Sequence, residues 1–303
     1  MGRLREERPK NGRNTTSVSL RNTLNELTGA EWLYFTKSII TTTYPSEYGH
    51  HLRKAHGANK PPQLMSQLIE FFTKPSGVVL DPFAGVGGTL IGASICKQPR
   101  EAVGIEINPA WIQIYQQVIK ESKGALLEQT MLPGDCLNVM EMLEPESFDF
   151  IATDPPYNIH LKQTMSNGDY SALFKNRRTI YDMHSDEPAD LANFPSYETF
   201  LDAMERAFAL CFQLLKPGRY LAMIVRNAYQ NGRYIFTHVD LAHRAQRAGF
   251  VPKGEIIWYQ TGTRLRPYGY PNAYVPNITH QYIVILNKPG GQPPLSKRRA
   301  KSV

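Results

Sequence analysis

The sequence predicts an α/β fold in which a mostly parallel sheet carries helices on both faces. Two observations support this prediction. Residues 78–106 follow the pattern of a strand, a glycine-rich loop, a helix and a second strand, and the apolar run before Asp154 is typical of another strand that ends in a turn. Each of these strands is followed by an acidic residue. Folds of this class bind ligands at the carboxyl ends of their parallel strands.

The first unit is built around its glycine loop. Val78 to Leu80 form a short apolar run that ends in Asp81, and the loop from Pro82 to Thr89 precedes a helical pattern. Glycines in such a loop let the backbone approach a ligand closely and adopt positive φ. The following strand, Ala102 to Ile105, ends in Glu106, where an acidic side chain can bind ribose hydroxyls. The unit therefore predicts a site for an adenosine-containing ligand.

Two other nucleotide sites fit the loop less well. A dinucleotide fingerprint that starts at Gly85 and Gly87 would need glycine at Leu90, and a P-loop would need Gly-Lys-Ser/Thr, which is absent. Asp81 at the loop entrance would repel a pyrophosphate and would favour a cationic amino-acid group. Hydride transfer and nucleoside triphosphate hydrolysis are therefore disfavoured.

The turn after Thr153 has groups that can bind and activate an aromatic amine. Asp154 can accept an N–H, and the turn Pro155-Pro156 has no N–H of its own, so it can present the Pro155 carbonyl as a further acceptor. Tyr157 supplies a ring on which a base can stack. Two acceptors on an aromatic amine help its nitrogen to become a nucleophile. The alternative interpretation is a stiff turn followed by a half-buried packing tyrosine.

Asp135 lies in Leu132-Pro133-Gly134-Asp135-Cys136, at the point where a further strand is expected to end. In a parallel sheet it would lie within reach of an adenine amino group. A solvated turn residue is an equally good interpretation of this segment alone.

The four segments, in this order, resemble those of the S-adenosylmethionine-dependent amino methyltransferases of DNA, which make N6-methyladenine or N4-methylcytosine. The resemblance extends from about Thr36 to Lys288, and His56 to Leu64 is similar to a His/Lys-Pro segment that closes over the methionine end of the cofactor. It implies a Rossmann-like class I methyltransferase fold with a mostly parallel seven-stranded sheet, and S-adenosylmethionine as cofactor.

The resemblance also assigns site residues. It gives catalytic roles to Asp154, Pro155, Pro156 and Tyr157. It gives cofactor binding to residues of the Lys-Pro segment, the glycine loop and the following strand ends: Lys60, Asp81, Pro82, Phe83, Ala84, Gly85, Gly87, Thr89, Glu106, Ile107, Asp135 and Cys136.

The order of the two halves departs from the subgroup that has this Lys-Pro segment. In that subgroup the catalytic tetrapeptide usually comes first, whereas here the cofactor half, about residues 56–150, precedes the catalytic half, about residues 151–288. The chain has no long block that could form a separate recognition domain, so loops or a partner must recognise the target. Asp at position 154 favours adenine within the family.

Length and composition suit one large domain. With 303 residues and 42% hydrophobic residues, we expect a methyltransferase domain over residues 31–288. We expect the basic segments 1–30 and 289–303 to be disordered or solvated. No apolar stretch suits a membrane span or signal peptide, and the three scattered cysteines favour a reducing compartment, so a cytoplasmic location is expected.

The charge favours a polyanionic partner. The formal net charge is +7 and the pI is near 9.2. Two segments combine basic and aromatic residues beside the expected site and are predicted DNA contacts: residues 158–195, with Lys162, Lys175, Arg177 and Arg178, and residues 260–278, with Arg264, Arg266 and Tyr268. The alternatives are a solvated surface insertion and a loop packed on its own rings.

These patterns predict site-specific transfer of a methyl group to N6 of adenine in double-stranded DNA. N4 of cytosine is the nearest alternative, and an RNA adenine methyltransferase or a noncatalytic nucleic-acid-binding subunit is more distant. His50, His51 and His56 lack the cysteines or helical spacing of a metal site, so no metal is expected. A monomer or homodimer, with a restriction endonuclease as functional partner, would suit this activity.

Overall fold

The computed structural model of the protein describes residues 17–156 and 187–290. No helix in these two ranges is long and apolar enough to cross a membrane. The predicted catalytic residue Tyr157 and the predicted DNA contacts Lys162, Lys175, Arg177 and Arg178 lie outside the described residues.

Ten strands are present in the described residues. Eight of them form one sheet in the order β1-β9-β10-β6-β5-β2-β3-β4, and the other two form a hairpin. The strands are β1 (Ile39–Ile40), β2 (Val78–Asp81), β3 (Glu101–Glu106), β4 (Thr130–Pro133), β5 (Phe148–Thr153), β6 (Leu215–Val225), β7 (Ala228–Gln230), β8 (Arg233–Ile235), β9 (Val251–Tyr259) and β10 (His280–Asn287).

The sheet is mostly parallel, as the sequence predicts. β4, β3, β2, β5 and β6 pair in parallel, and β10 runs antiparallel between β6 and β9. The start of β10 therefore lies at the edge where β2, β3, β5, β6 and β9 end. β1 and β4 also end at this edge, which therefore gathers the carboxyl ends of seven strands and positions the site.

Helices cover both faces of the sheet. One hydrophobic cluster packs α3, α4 and α5 on one face, and a second packs α6, α7 and α8 on the other. The helices are α1 (Gly29–Phe35), α2 (His50–Arg53), α3 (Pro62–Phe72), α4 (Gly88–Ser94), α5 (Pro109–Glu121), α6 (Cys136–Met140), α7 (Tyr197–Leu214) and α8 (Thr237–Arg247).

Local sequence explains the central elements. All six residues of β5 are buried, because a parallel strand with helices on both faces has no solvated side. In α7, Phe200, Met204 and Phe208 recur at helical spacing and are at most 2% exposed. Ser196 begins this helix with a capping box, which satisfies backbone N–H groups of the first turn.

The structure differs from the sequence predictions in two places. The eighth strand of the sheet is β1, two residues that pair in parallel with the edge of β9 and add to the seven strands implied by the resemblance. Residues 17–30 have defined structure, whereas the sequence predicts a disordered or solvated segment over residues 1–30. Asn25 is 1% exposed and donates to the Phe71 carbonyl, which anchors this segment on the core.

Candidate active site

A cleft opens at the carboxyl edge of the sheet. It lies among the ends of β2, β3 and β5, the loop before α3 and the segment before α7. Its lining includes His56, Asn59, Lys60, Asp81, Pro82, Phe83, Ala84, Gly85, Thr89, Glu106, Ile107, Trp111, Asp135, Cys136, Asp154, Pro155, Pro156, Asp190 and Leu191. One concave surface therefore joins the predicted cofactor residues, except Gly87, to the first three residues of the catalytic tetrapeptide.

Asp81 organises the glycine loop. Its carboxylate accepts from the Thr89 hydroxyl and, at 3.1 Å, from the Phe83 backbone N–H. Burial raises the pKa of Asp81 to about 6, these hydrogen bonds oppose the shift, and the nearby Asp154 charge adds to it. A buried carboxylate whose charge is only partly compensated attracts a cation.

Glu106 connects the loop to β3. Its two carboxylate oxygens accept from the backbone N–H groups of Gly85 and Asn108, each at 2.7 Å. Burial raises the pKa of Glu106 to about 7 despite these hydrogen bonds, and Asp190 and Asp81 add to the shift. An acceptor fixed at this strand end is suited to hydroxyl groups.

Asp135 begins α6. Its side chain accepts from the Leu137 N–H at 3.1 Å, so it serves as the N-cap of the helix and also lines the cleft. Burial raises the pKa of the neighbouring Cys136 thiol well above its usual range. Cys136 therefore contributes shape rather than reactivity.

Asp154 follows β5 and faces a lysine. Its Oδ2 forms an ion pair with Lys60 Nζ, and the two side chains are 16% and 6% exposed. Pro155 and Pro156 continue the cleft wall. The pair places a carboxylate with a fixed orientation beside the cofactor residues.

Among the predicted cofactor residues, all of which the structure describes, Gly87 is the one that does not line the cleft. It is the N-cap of α4 with φ of +76°, and a Cβ there would lie 2.2 Å from the Tyr115 ring. Glycine is therefore required here by the positive φ at the start of α4 and by close packing against Tyr115 of α5. Gly85, with φ of +52°, does line the cleft and approaches the His56 ring.

The resemblance placed His56 in the segment over the methionine end of the cofactor, but sequence reasoning missed Trp111, Asp190 and Leu191 as lining residues. His56 and Trp111 meet edge to face with their ring centroids 4.9 Å apart, and burial lowers the pKa of His56 to about 4, so its imidazole is neutral. Asp190 and Leu191 reach the cleft from the segment before α7. An aromatic residue one turn into the helix after Glu106 was an available signal for Trp111, whereas Asp190 had no local motif.

The segment between β9 and β10 lies at the same edge as the cleft. Arg264, Arg266 and Tyr268 belong to it, and three other large side chains in it, Leu265, Tyr270 and Tyr274, are 67%, 72% and 87% exposed. Three strand spacings separate β9 from β5, which is roughly 14 Å. These predicted DNA contacts therefore lie beside the cleft and not in it.

The donor set fits S-adenosylmethionine. Buried carboxylates at Asp81 and Glu106 suit a ligand that has hydroxyl groups and positive charge, and the positive φ of Gly85 exposes loop backbone to it. Among the described residues, no group of three or more His, Cys, Asp or Glu side chains could hold a metal ion.

Comparison with known proteins identifies the family. The N6/N4 methyltransferase family model, described as DNA methylase, matches residues 5–117 and 148–301. The chain belongs to this DNA methylase family. Membership confirms the predicted cofactor, S-adenosylmethionine, and the predicted fold class.

Two curated relatives match part of this methylase. The Type II methyltransferase M.HinfI of Haemophilus influenzae is 29% identical over 160 residues, with 42% of this chain and 44% of that protein covered. A tRNA (guanine(10)-N2)-dimethyltransferase of Pyrococcus abyssi is 30% identical over 161 residues, with 53% of this chain and 44% of that protein covered. The methylase thus spans less than half the length of each relative.

Two solved structures show partial similarity. TTHA0409 of Thermus thermophilus, in complex with S-adenosyl-L-methionine, is 26% identical over 53% of this chain and 55% of that chain, with a TM-score of 0.34. TrmN of Thermus thermophilus is 16% identical over 79% of this chain and 53% of that chain, with a TM-score of 0.47. The strand order and the family match, and not these superpositions, define the methylase fold.

Proposed function

We propose that this methylase transfers a methyl group from S-adenosylmethionine to N6 of adenine in double-stranded DNA, at a specific sequence. The observation that carries the proposal is the position of Asp154. Its carboxylate follows β5 and lines the same cleft as Asp81, Glu106 and Asp135. An acceptor for an amino group and a site for a cationic adenosine ligand therefore share one cavity.

The proposed chemistry uses two acceptors. Asp154 and the Pro155 carbonyl accept the two N–H groups of the target amine, which localises the lone pair on its nitrogen. S-adenosylmethionine supplies a methyl group on a positively charged sulfur. The nitrogen attacks the methyl carbon, the C–S bond breaks with its electrons passing to sulfur, and a proton leaves the nitrogen through Asp154 or to water.

Other residues would bind the cofactor and the target base. Asp81, Glu106 and Asp135 would hold the amino-acid, ribose and adenine ends of the cofactor, with the backbone of residues 82–86 beside them. Tyr157, which lies outside the described residues, would stack on the target base. A base inside a duplex cannot reach this cleft, so we propose that the adenine is flipped out of the helix.

The surface beside the cleft suits DNA. A shallow depression in the segment that connects β9 to β10 is lined by Tyr268, Tyr270 and Tyr274. Asn277 fixes this segment, because it both accepts from the N–H and donates to the carbonyl of Arg266, at 2.9 and 2.8 Å. We propose that Arg264, Arg266 and Tyr268 contact the backbone or base edges, and that Lys162, Lys175, Arg177 and Arg178 do so from the segment outside the described residues.

N4 of cytosine remains the nearest alternative, because the same acceptors serve either amine. RNA is the second candidate, since a tRNA (guanine(10)-N2)-dimethyltransferase is among the relatives. A restriction endonuclease with the same recognition sequence would be the natural functional partner of the proposed activity.

A substrate-choice assay tests the proposal. The purified methylase is incubated with radiolabelled S-adenosylmethionine and, separately, with unmethylated duplex DNA, tRNA or a protein extract. Label in duplex DNA is expected. Label in tRNA alone would move the function to RNA, and no label in any substrate, together with measured cofactor binding, would contradict the proposed activity.

A further inference from the structure

Lys60 contacts the catalytic turn through its side chain. Its ammonium group bonds to Asp154 Oδ2 and donates to the Ala58 carbonyl at 3.1 Å. The lysine side chain is 6% exposed, so water does not compete strongly for these contacts. The resemblance alone had placed this residue with the cofactor.

The main chain of Lys60 is held from the opposite side. Arg53, 1% exposed on α2, donates to the Lys60 carbonyl at 2.5 Å. A Cβ at Gly88 would lie 3.0 Å from the same carbonyl, so the first residue of α4 packs closely against it. Pro61 follows with φ of −62° and precedes α3. These contacts define the direction of the Lys60 side chain.

The described wall of the cleft has more carboxylates than cationic side chains. In the described wall of the cleft, Lys60 is the single lysine or arginine, and it lies among carboxylates at Asp81, Glu106, Asp135, Asp154 and Asp190. Asp154 and Asp81 are close enough that the charge of one contributes to the raised pKa of the other. A cation on Asp154 offsets this repulsion.

We propose that Lys60 is a positioning residue for Asp154 and not a ligand of the cofactor. Its ammonium group holds the Asp154 carboxylate in one orientation, so that the carboxylate accepts an N–H of the target amine. Arg53 and Gly88 support this role by fixing the Lys60 backbone. The inference rests on the proposed function, because it assigns Asp154 to the amine.

Two variants of Lys60 distinguish a positioning residue for Asp154 from a ligand of the cofactor. Lys60→Met removes the charge, and Lys60→Arg keeps a cation of different shape. Cofactor affinity is measured by calorimetry, and the rate constant of methyl transfer to duplex DNA is measured in a single turnover with saturating cofactor. We expect Lys60→Met to lower the rate constant by about 100-fold and to change the cofactor Kd by less than about threefold. Lys60→Arg should recover at least about tenfold of the lost rate.

Lys288→Met is the matched control. Lys288 is also buried, at 9% side-chain exposure, and bonds to Glu146 and the Leu215 carbonyl at the opposite edge of the sheet. Loss of a buried ammonium there should leave the transfer rate within about twofold at temperatures where the variant is folded. If Lys60→Met does not fold, Lys60→Gln replaces it, with the same expected loss of rate.

A Lys60→Met enzyme that binds cofactor poorly but transfers at the normal rate when saturated would overturn the inference and make Lys60 a cofactor ligand. A normal rate with normal affinity would also overturn it. The wild-type enzyme in the same assay separates the two proposals. Its failure to methylate DNA would refute the proposed function itself, whereas an active wild type with an active Lys60→Met variant refutes the role of Lys60 alone.

Discussion

The two halves of the sheet edge differ in how they assemble their side chains. In the cofactor half, residues 56–150, Asp81 and Glu106 end strands, and backbone N–H groups of the glycine loop and of Asn108 hold their carboxylates. In the catalytic half, Asp154 is oriented by a lysine 94 positions earlier in the chain. The predicted recognition residues Arg264, Arg266 and Tyr268 lie on the long segment between β9 and β10.

The difference matches the two ligands of the proposed function, a cofactor and a polynucleotide. A cofactor of constant shape is met by loop backbone and by acids at strand ends, which local sequence specifies. A polynucleotide is met by exposed side chains on loops, whose positions depend on the whole sheet. We therefore expect substitutions in the two halves to separate cofactor binding from methyl transfer.

The largest separation is expected at Asp154. Asp154→Ala removes the carboxylate acceptor and should lower methyl transfer by about 1000-fold, while the cofactor Kd changes by less than about threefold. Single-turnover transfer and calorimetry measure the two quantities. Asp149→Ala is the control, because Asp149 is buried on the same strand but pairs with Lys216 at the opposite edge. Equal transfer rates in Asp154→Ala and wild type would contradict the assignment.

Substitution of Gly87 tests the conformation of the cofactor loop. Gly87→Ala puts a side chain into the Tyr115 ring and at positive φ, and should reduce the free energy of unfolding by about 3 kcal/mol. Gly124→Ala, at φ of +88° with no atom within 4 Å of the added Cβ, isolates the backbone cost of about 1 kcal/mol. Denaturant unfolding of both variants gives the comparison. Equal losses would show that packing against α5 is not what requires glycine at position 87.

The pH dependence of cofactor binding tests the two buried carboxylates. The pKa of Glu106 is raised to about 7 and that of Asp81 to about 6, so both gain protons as the pH falls from 8 to 6. Because a cationic ligand prefers their ionised forms, affinity should fall roughly tenfold over this range. Glu106→Gln should bind more weakly at pH 8 and lose most of the change above pH 6.5. Affinity that rises on acidification would reverse the proposed charge preference.

The raised pKa of Glu106 also makes the free energy of unfolding depend on pH. The folded form of Glu106 binds a proton more tightly than the unfolded form, whose pKa is 4.5. Its contribution to the free energy of unfolding without cofactor is therefore fully present below pH 4.5 and is lost as the pH rises to about 7. Unfolding of wild type and Glu106→Gln across this window isolates that contribution.

The smallest expected effect is at the loop between β9 and β10. Arg264→Ala should weaken DNA binding by about threefold to tenfold and reduce the slope of log Kd against log salt by about one, with unchanged cofactor affinity. Lys253→Ala is the control, because Lys253 is exposed near the start of β9, at the far edge. Identical salt slopes for the Arg264→Ala variant and wild type would remove this loop from the DNA contacts.

The sequence predicted the sheet, the glycine loop and the acids at the strand ends, because apolar runs, glycines and carboxylates are local signals. It did not predict that Gly87 packs on Tyr115, that Asn25 anchors the amino-terminal segment or that Asp190 enters the cleft. It also assigned Lys60 from its motif, whereas the structure shows its ammonium group on Asp154. Each of these facts depends on a contact between distant segments, which residue spacing does not encode.

The identity of the methylated atom tests the proposed transfer to N6 of adenine. Duplex DNA is treated with S-adenosylmethionine that carries a trideuterated methyl group, by wild type and by Asp154→Ala, and its nucleosides are analysed by mass spectrometry. The proposed mechanism predicts a trideuteromethyl group on the exocyclic amino nitrogen of adenine with wild type, and almost none with the variant. A label on a ring carbon, or equal labelling by both proteins, would contradict it.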